Sequence, residues 1–360
     1  MWALRYPTSV QNPAVRLGII GCGFVTVDRH LPALRHVDEI DVVGLADTHP
    51  ERAAGAARRY PEARVRDMES LLADPTVDAV AVCTPPVTHA DLALAALEAG
   101  KHVFLEKPVA ASLAEADRIV EGAARSTLRV LVGFNFRRHR FVERARQVVS
   151  EGRLGTVQAV RTAFTSPILD GKLEWQAHRE LGGGALFDRA IHHFDLWRFL
   201  LDAEVAEVFA LTRSGRGDDQ SAVISARTTA GTPVSTLALD DSVVTHDLAV
   251  YGADAALFAD CCRVDGFHLA PRAEPPGSPL ARLRRGREAL QRPAESIRAV
   301  RSGGDFRISY VEEWRHFARV VRGEVAPSPT LADGRAALEI ALAAAESADS
   351  GASVRVGAAA

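Results

Sequence analysis

Lysine is scarce in this 360-residue chain: of 43 basic Lys and Arg residues, only those at positions 101, 107 and 172 are Lys. Lys107 stands between Glu106 and Pro108, at the end of the apolar run "HVFL". Arg stays protonated and cannot act as an acid or base, whereas a Lys amine starts near about 10.4 and is lowered by burial or a nearby cation. A retained amine at a strand end therefore suits polarising an oxygen or handling its proton. A second constellation lies in "GGGALFDRAIHHFDLWRFLLD", residues 182–202. Asp188 and His192 are four apart and share one helix face. Such a carboxylate–imidazole pair can bind a hydroxyl and move its proton, since His needs little tuning to titrate near neutrality. The same spacing can hold a metal, but only His193 lies close by, so no metal site is expected. His193 reads as structural.

The third motif is "GIIGCGFVTVDRHLPAL", which places Gly21-x-Gly23-x-x-Thr26 after a strand-like run and at the start of a helix. Gly21 permits the tight turn. Gly23 lets the backbone approach a pyrophosphate at the positive end of the helix, with Phe24 and Val25 following in the loop. The third position normally takes Gly or Ala, so Thr26 implies a helix standing slightly off the strand. Asp47 follows Gly21 by 26 positions, at the end of "VVGLAD", where a carboxylate can accept from the ribose hydroxyls of adenosine and disfavours a 2′-phosphate. That favours NAD. Arg52, Arg58 and Arg59 in the next helix could reach a 2′-phosphate and keep NADP open. Asp47 is equally suited to cap that helix. Thr84, Pro85 and Pro86 form a stiff turn after the strand "VDAVAVC", where a cofactor would pass, and His89 opens the following helix.

These motifs need elements to carry them. From Val15 the chain alternates continuously apolar runs ("VRLGIIG", "DVVGLAD", "VDAVAVCTP", "HVFLEKP", "RVLVGFN") with helical spacing. That is the pattern of a parallel sheet covered on both faces. An α/β, doubly wound domain over 15–135 follows. From 136 to 360 the runs become shorter and polar-interrupted ("TVQAVRTAF", "EVFALTR", "QSAVISARTTAGTPVSTLALDD", "HDLAVYGADAALFAD"), with a hairpin turn at 230–233. A second, α+β domain built on a mostly antiparallel sheet is expected there, with closing helices in "SYVEEWRHFARVVRG" and "LADGRAALEIALAAAESADSG". Asn135, Arg137, Trp175 and His178 are expected to line the pocket on that side. The Arg-rich stretch 282–301 reads as a solvated helix face.

A net charge of −3 and a pI near 6.5 give no basic footprint for nucleic acid or an anionic membrane. No apolar run reaches the ~20 residues of a membrane helix. The first fourteen residues read as a loose leader without a signal peptide's apolar centre. Cys22, Cys83, Cys261 and Cys262 show neither metal nor disulfide spacing, so a cytoplasmic protein is expected, with Cys261 and Cys262 buried as small apolar residues.

"CTPPVTHADLALAALEAGKHVFLEKPVA" and "GGGALFDRAIHHFDLWRFLLD", together with the glycine loop, resemble the Gfo/Idh/MocA oxidoreductases over most of residues 15–350. The resemblance implies an NAD(P)-binding Rossmann domain (cofactor contacts at Gly21, Gly23, Phe24, Val25, Asp47, Arg52, Thr84, Pro85, His89, Glu106 and Lys107), followed by a substrate domain. It also implies a homodimer or homotetramer joined through the open sheet. The family's catalytic Lys, Asp and His fall on Lys107, Asp188 and His192. The implied activity is hydride transfer between a sugar, sugar derivative or cyclitol alcohol and NAD, with NADP as the alternative. Two departures, Ala190 where many relatives have Gly and the bulky Arg189, bear on substrate fit. Glycoside cleavage by transient oxidation, and a non-catalytic nucleotide-binding regulator, are the other readings.

Overall fold

The computed structural model describes residues 13–167, 174–273 and 299–357, with 278, 279, 283, 286 and 297 between. Most of the expected leader and most of the 282–301 stretch lie outside the described residues.

The first sheet is built from β1 (Val15–Ile20), β2 (Ile40–Ala46), β3 (Arg64–Val65), β4 (Ala79–Val82), β5 (His102–Glu106) and β6 (Val130–Gly133). Its order is β3-β2-β1-β4-β5-β6, and every neighbouring pair is parallel. The order reverses between β1 and β4, and open α/β sheets bind ligands outside the carboxyl ends of strands at such a point. Helices α1 (Leu31–Leu34), α2 (Pro50–Arg59), α3 (Met68–Ala73), α4 (His89–Glu98) and α5 (Leu113–Ala124) connect the strands. The capping box of Ser112 and Glu115 starts α5. Strands buried on both faces explain the uninterrupted apolar runs.

After α6 (Arg140–Ser150), the second sheet collects β7 (Val157–Ser166), β8 (Val205–Arg213), β9 (Ser221–Thr228), β10 (Pro233–Asp240), β11 (Thr245–Gly252), β12 (Ala255–Asp260), β13 (Phe267–Pro271) and β14 (Val354–Arg355). The order is β13-β12-β11-β7-β10-β9-β8-β14, with only β7 and β10 parallel. The expected hairpin joins β9 to β10, and Gly231 takes its left-handed position at φ 86. Helix α7 (Ile191–Leu201) packs on the sheet's inner face. Cys261 is buried, but Cys262 is exposed in the turn after β12, against the expectation that both are core residues.

Two closing helices tie the sheets together. Helix α8 (Asp305–Val321) returns to the first sheet, where Tyr310, Trp314 and Phe317 join the core around Phe104 and Leu17. Helix α9 (Leu331–Ser350), started by a Thr330–Asp333 capping box, lies against β6 and β8. A Cβ at Gly334 would collide with Val109 and Val132, so this close approach needs glycine.

Candidate active site

Lys107 leaves the carboxyl end of β5 toward the second domain. Its Nζ donates to the main-chain oxygen and to Oδ1 of Asp188, both at 2.8 Å, across 81 positions of sequence. The pair is partly open, with side chains 13% and 25% exposed. The chain reaches Asp188 through Gly182–Gly184. Gly182 and Gly184 have positive φ, and a Cβ at Gly182 would strike Pro86, so the two domains' loops meet there. Residues 186–190 form a wide, π-type turn before α7 begins. Such widened turns recur at functional sites.

His192 sits on the first turn of α7, walled by the rings of Phe134, Phe136 and Phe164 at 4.6–5.9 Å. Its Nδ1 is buried without a partner among the described residues, which leaves Nε2 as the nitrogen that can meet a substrate. Burial first, then the charge of Lys107, push its pKa well below the usual imidazole value, while Asp188 pulls the other way. His192 is therefore neutral at physiological pH. His193 points elsewhere: Nδ1 meets Thr236 Oγ1 at 2.7 Å, and its ring stacks on His246. Arg189, the bulky departure, is buried, hydrogen-bonded to Asp240 and lying over the Phe164 ring. It is thus held inside as a neutralised pair.

At the glycine loop, Gly21 has φ 97 and a Cβ there would run into the Cys83 carbonyl, whereas Gly23 faces open space. The loop is therefore both tight and approachable. Thr26 packs into the loop. It is fully buried and its hydroxyl donates to the Gly21 oxygen at 2.6 Å, while residues 26–30 widen into a π-type turn that makes room for it. Phe24 lies under the Arg29 guanidinium, and Val25 is half-buried beside it. Asp47 accepts from the Cys22 amide (2.7 Å) and the His49 amide (2.8 Å), joining the β2 end to the loop; the residue capping α2 is His49, not Asp47. Arg52 lies half-buried in the first turn of α2. Thr84 and Thr88 share a hydroxyl contact beside Pro85.

Three expected site residues are engaged by other parts of the chain. His89 has no exposed surface, and its nitrogens meet the carbonyls of Pro108 and Thr84, so it braces two loops. Asn135 donates to Ser309, and Arg137 is buried in an ion-pair network with Asp195 and Asp333. Trp175 is half-buried and His178 exposed, the latter 4.0 Å from Asp218.

Glu106 proves to be a junction. Its Oε1 lies 2.8 Å from His30 Nε2, and its Oε2 accepts from the Lys107 amide at 2.9 Å. Trp314 Nε1 reaches His30 Nδ1 at 3.2 Å. Neither His30 nor Trp314 was expected here: a lone His beside apolar residues gives no signal, and its partner lies 284 positions away. Among the described residues, no cluster of His, Cys, Asp and Glu is arranged to hold a metal.

Comparison with known proteins identifies the family. Residues 15–134 match an oxidoreductase family with an NAD-binding Rossmann fold, and 142–258 match the GFO/IDH/MocA C-terminal domain. The chain is 29% identical to the myo-inositol 2-dehydrogenase of Thermotoga maritima, over 95% of this chain and 98% of that one. It is 35% identical to the 1,5-anhydro-D-fructose reductase of Ensifer adhaerens, over 55% of this chain and 60% of the reductase. A solved levoglucosan dehydrogenase, in complex with NADH and levoglucosan, superposes with a TM-score of 0.80 at 25% identity, covering 96% of this chain and all of the other.

Proposed function

The chain belongs to the Gfo/Idh/MocA oxidoreductases, and from that premise we propose that Lys107, Asp188 and His192 perform the proton chemistry of its reaction. The protein is an NAD(P)-dependent oxidoreductase acting on the CH–OH groups of sugars, sugar derivatives or cyclitols. The observation that carries the residue assignment is the Lys107–Asp188 contact, which bridges the two domains beside His192.

The glycine loop fits a dinucleotide: the Gly21 turn is required, Gly23 is open to an approaching phosphate, and Asp47 borders the adenosine side. The bound cofactor supplies the hydride acceptor. The remaining work falls to the chain. Lys107 has three N–H donors and commits two to Asp188, so the third can hold the substrate oxygen and stabilise its charge as alkoxide. Neutral His192 accepts the hydroxyl proton at Nε2. In the reverse direction it returns that proton to the carbonyl oxygen, and its lowered pKa makes the imidazolium a ready donor. Asp188 orients the Lys107 amine. The rings around His192 exclude water from the proton's path. NAD is the expected cofactor, because Asp47 meets the ribose side with a carboxylate.

The test is a panel of polyols and sugars, including myo-inositol and levoglucosan, assayed for NADH formation. Mass spectrometry of the purified protein for retained NAD accompanies it. Net NADH supports the dehydrogenase, glycoside cleavage without net NADH supports transient oxidation, and neither with NAD bound supports a regulator.

Assembly is read from the second sheet. Leu211, Val223 and Leu237 lie side by side in register on its outer face, with Leu211 60% and Val223 50% exposed. Such a row favours a homodimer or homotetramer through this sheet. Light scattering on Val223→Lys tests it, the smaller species being expected. Cytoplasmic residence accords with four free cysteines.

A further inference from the structure

We propose that His30 and Trp314 are positioning residues for Lys107, acting through Glu106; the inference rests on the reading of Lys107 given above. An indole nitrogen can only donate. Trp314 Nε1 therefore donates to His30 Nδ1 (3.2 Å), which must be the bare nitrogen of the ring. The imidazole proton then sits on Nε2 and is donated to Glu106 Oε1 at 2.8 Å. A doubly protonated ring would set its Nδ1–H against the indole N–H. Glu106 thus accepts from His30 on one oxygen and from the Lys107 amide on the other. The Lys107 side chain continues the chain to Asp188. Four groups, from α8, the first connection, β5 and the turn before α7, thus run in line through Lys107, with Glu106 on its main-chain amide and Asp188 on its Nζ.

The surroundings leave this arrangement little freedom. His30 and Trp314 have no exposed surface. The His30 ring meets Phe104, Tyr310 and Trp314 edge-on at 5.3–5.5 Å, so it cannot turn to another partner. Across the sheet, Glu106 pairs with Gly133, where a Cβ would come within 3.2 Å of the Glu106 carboxyl. A core histidine that merely filled space would not need its tautomer set by one side chain and read by another. Setting the ring's tautomer through the hydrogen bond made by its other nitrogen is the means by which proteins aim an imidazole. Here the imidazole aims a carboxylate, and the carboxylate fixes the atom from which the amine departs.

The experiment compares His30→Phe, His30→Gln, Trp314→Phe, Lys107→Ala and His30→Phe/Lys107→Ala. Each is assayed with NAD and whichever of myo-inositol, levoglucosan or a polyol panel gives the fastest NADH formation. His30→Phe is expected to lower kcat about 10- to 100-fold, the range for a displaced catalytic group, with KM changed by less than about twofold. His30→Gln, whose amide can donate to Glu106 and accept from Trp314, is expected to recover most of kcat. Trp314→Phe keeps the stacked ring but lacks the donor, and should fall between. In the Lys107→Ala background, His30→Phe should add no further loss. A folded His30→Phe with wild-type kcat, a loss that Gln does not restore, or an additive loss without Lys107 overturns the proposal. Normal turnover by Lys107→Ala would instead overturn the reading of Lys107 itself. If His30→Phe does not fold, nitrogen-15 NMR of the wild-type protein decides. The proton is expected on His30 Nε2, and a proton on Nδ1 overturns the proposal.

Discussion

Two cation–carboxylate pairs join the carboxyl ends of neighbouring first-sheet strands to the same stretch of the second domain. Lys107, after β5, meets Asp188; Arg137, after β6, meets Asp195 seven positions further on. Arg137 grips both oxygens of Asp195, adds Asp333, and lies over the Phe199 ring, with the pair's side chains 6% and 1% exposed. Arg198 extends that network through Asp333 to Glu204. Burial raises the carboxyl pKa of Asp195, and Arg137 offsets only part of that rise. The planar guanidinium is consumed by the fork geometry and fixes one domain on the other. The Lys107 ammonium is a point charge in a half-open cleft, and its contacts leave a donor for a substrate. The chain's preference for Arg thus lapses at Lys107, where a closed, bidentate clamp would leave nothing for chemistry.

Breaking each pair should therefore give opposite signatures. Lys107→Arg keeps the charge but not the geometry or the ability to give up a proton. It is expected to lower kcat about 10²- to 10⁴-fold while the melting temperature barely changes, read by NADH formation and calorimetry. Arg137→Ala strands Asp195 in the core. It should cost about 3–5 kcal/mol in urea unfolding, with kcat of the remaining folded enzyme largely kept. Equal effects of both on kcat would erase the distinction.

A smaller effect sharpens the role of the Lys107 charge. That charge is one cause of the depressed His192 pKa, so Lys107→Met should let the His192 titration move upward, toward about 6.5. NMR of the His192 ring protons reads this directly, and an unmoved titration would mean that burial alone sets the value.

The weakest expected effect concerns the buried imidazoles beyond the site. Burial lowers His139 to about 4 and His193 to about 3. Because these folded-state values lie below the unfolded value, the unfolded chain binds more protons as pH falls. Stability should be full above about pH 6.5 and decline progressively as pH drops through about 4 to about 3. His193→Gln, which can still meet Thr236, should flatten part of that decline in a pH series of melting temperatures.

Much of this was legible in the sequence, and for local reasons. The glycine loop, "EKP" and the Asp188–His192 spacing are short-range patterns, and continuously apolar runs report strands buried on both faces. What was not legible depends on neighbours. Periodicity shows that α8 has an apolar face but not that Trp314 returns to β5, and so His30 and Glu106 gave no hint of their junction. Asn135 and Arg137 were expected along the pocket's second-domain side. Their partners, Ser309, Asp195 and Asp333, come from segments whose proximity only the assembled fold creates. Thr26 looked like an obstruction because the fingerprint assumes a regular helix, and the widened turn removes that assumption.

The most direct test of the central claim is a crystal structure with NADH and the sugar or cyclitol that turns over fastest. The reacting oxygen is expected within hydrogen-bond reach of both Lys107 Nζ and His192 Nε2, about 2.6–3.2 Å, with its carbon facing the nicotinamide. A productive complex in which that oxygen contacts neither group would contradict the account.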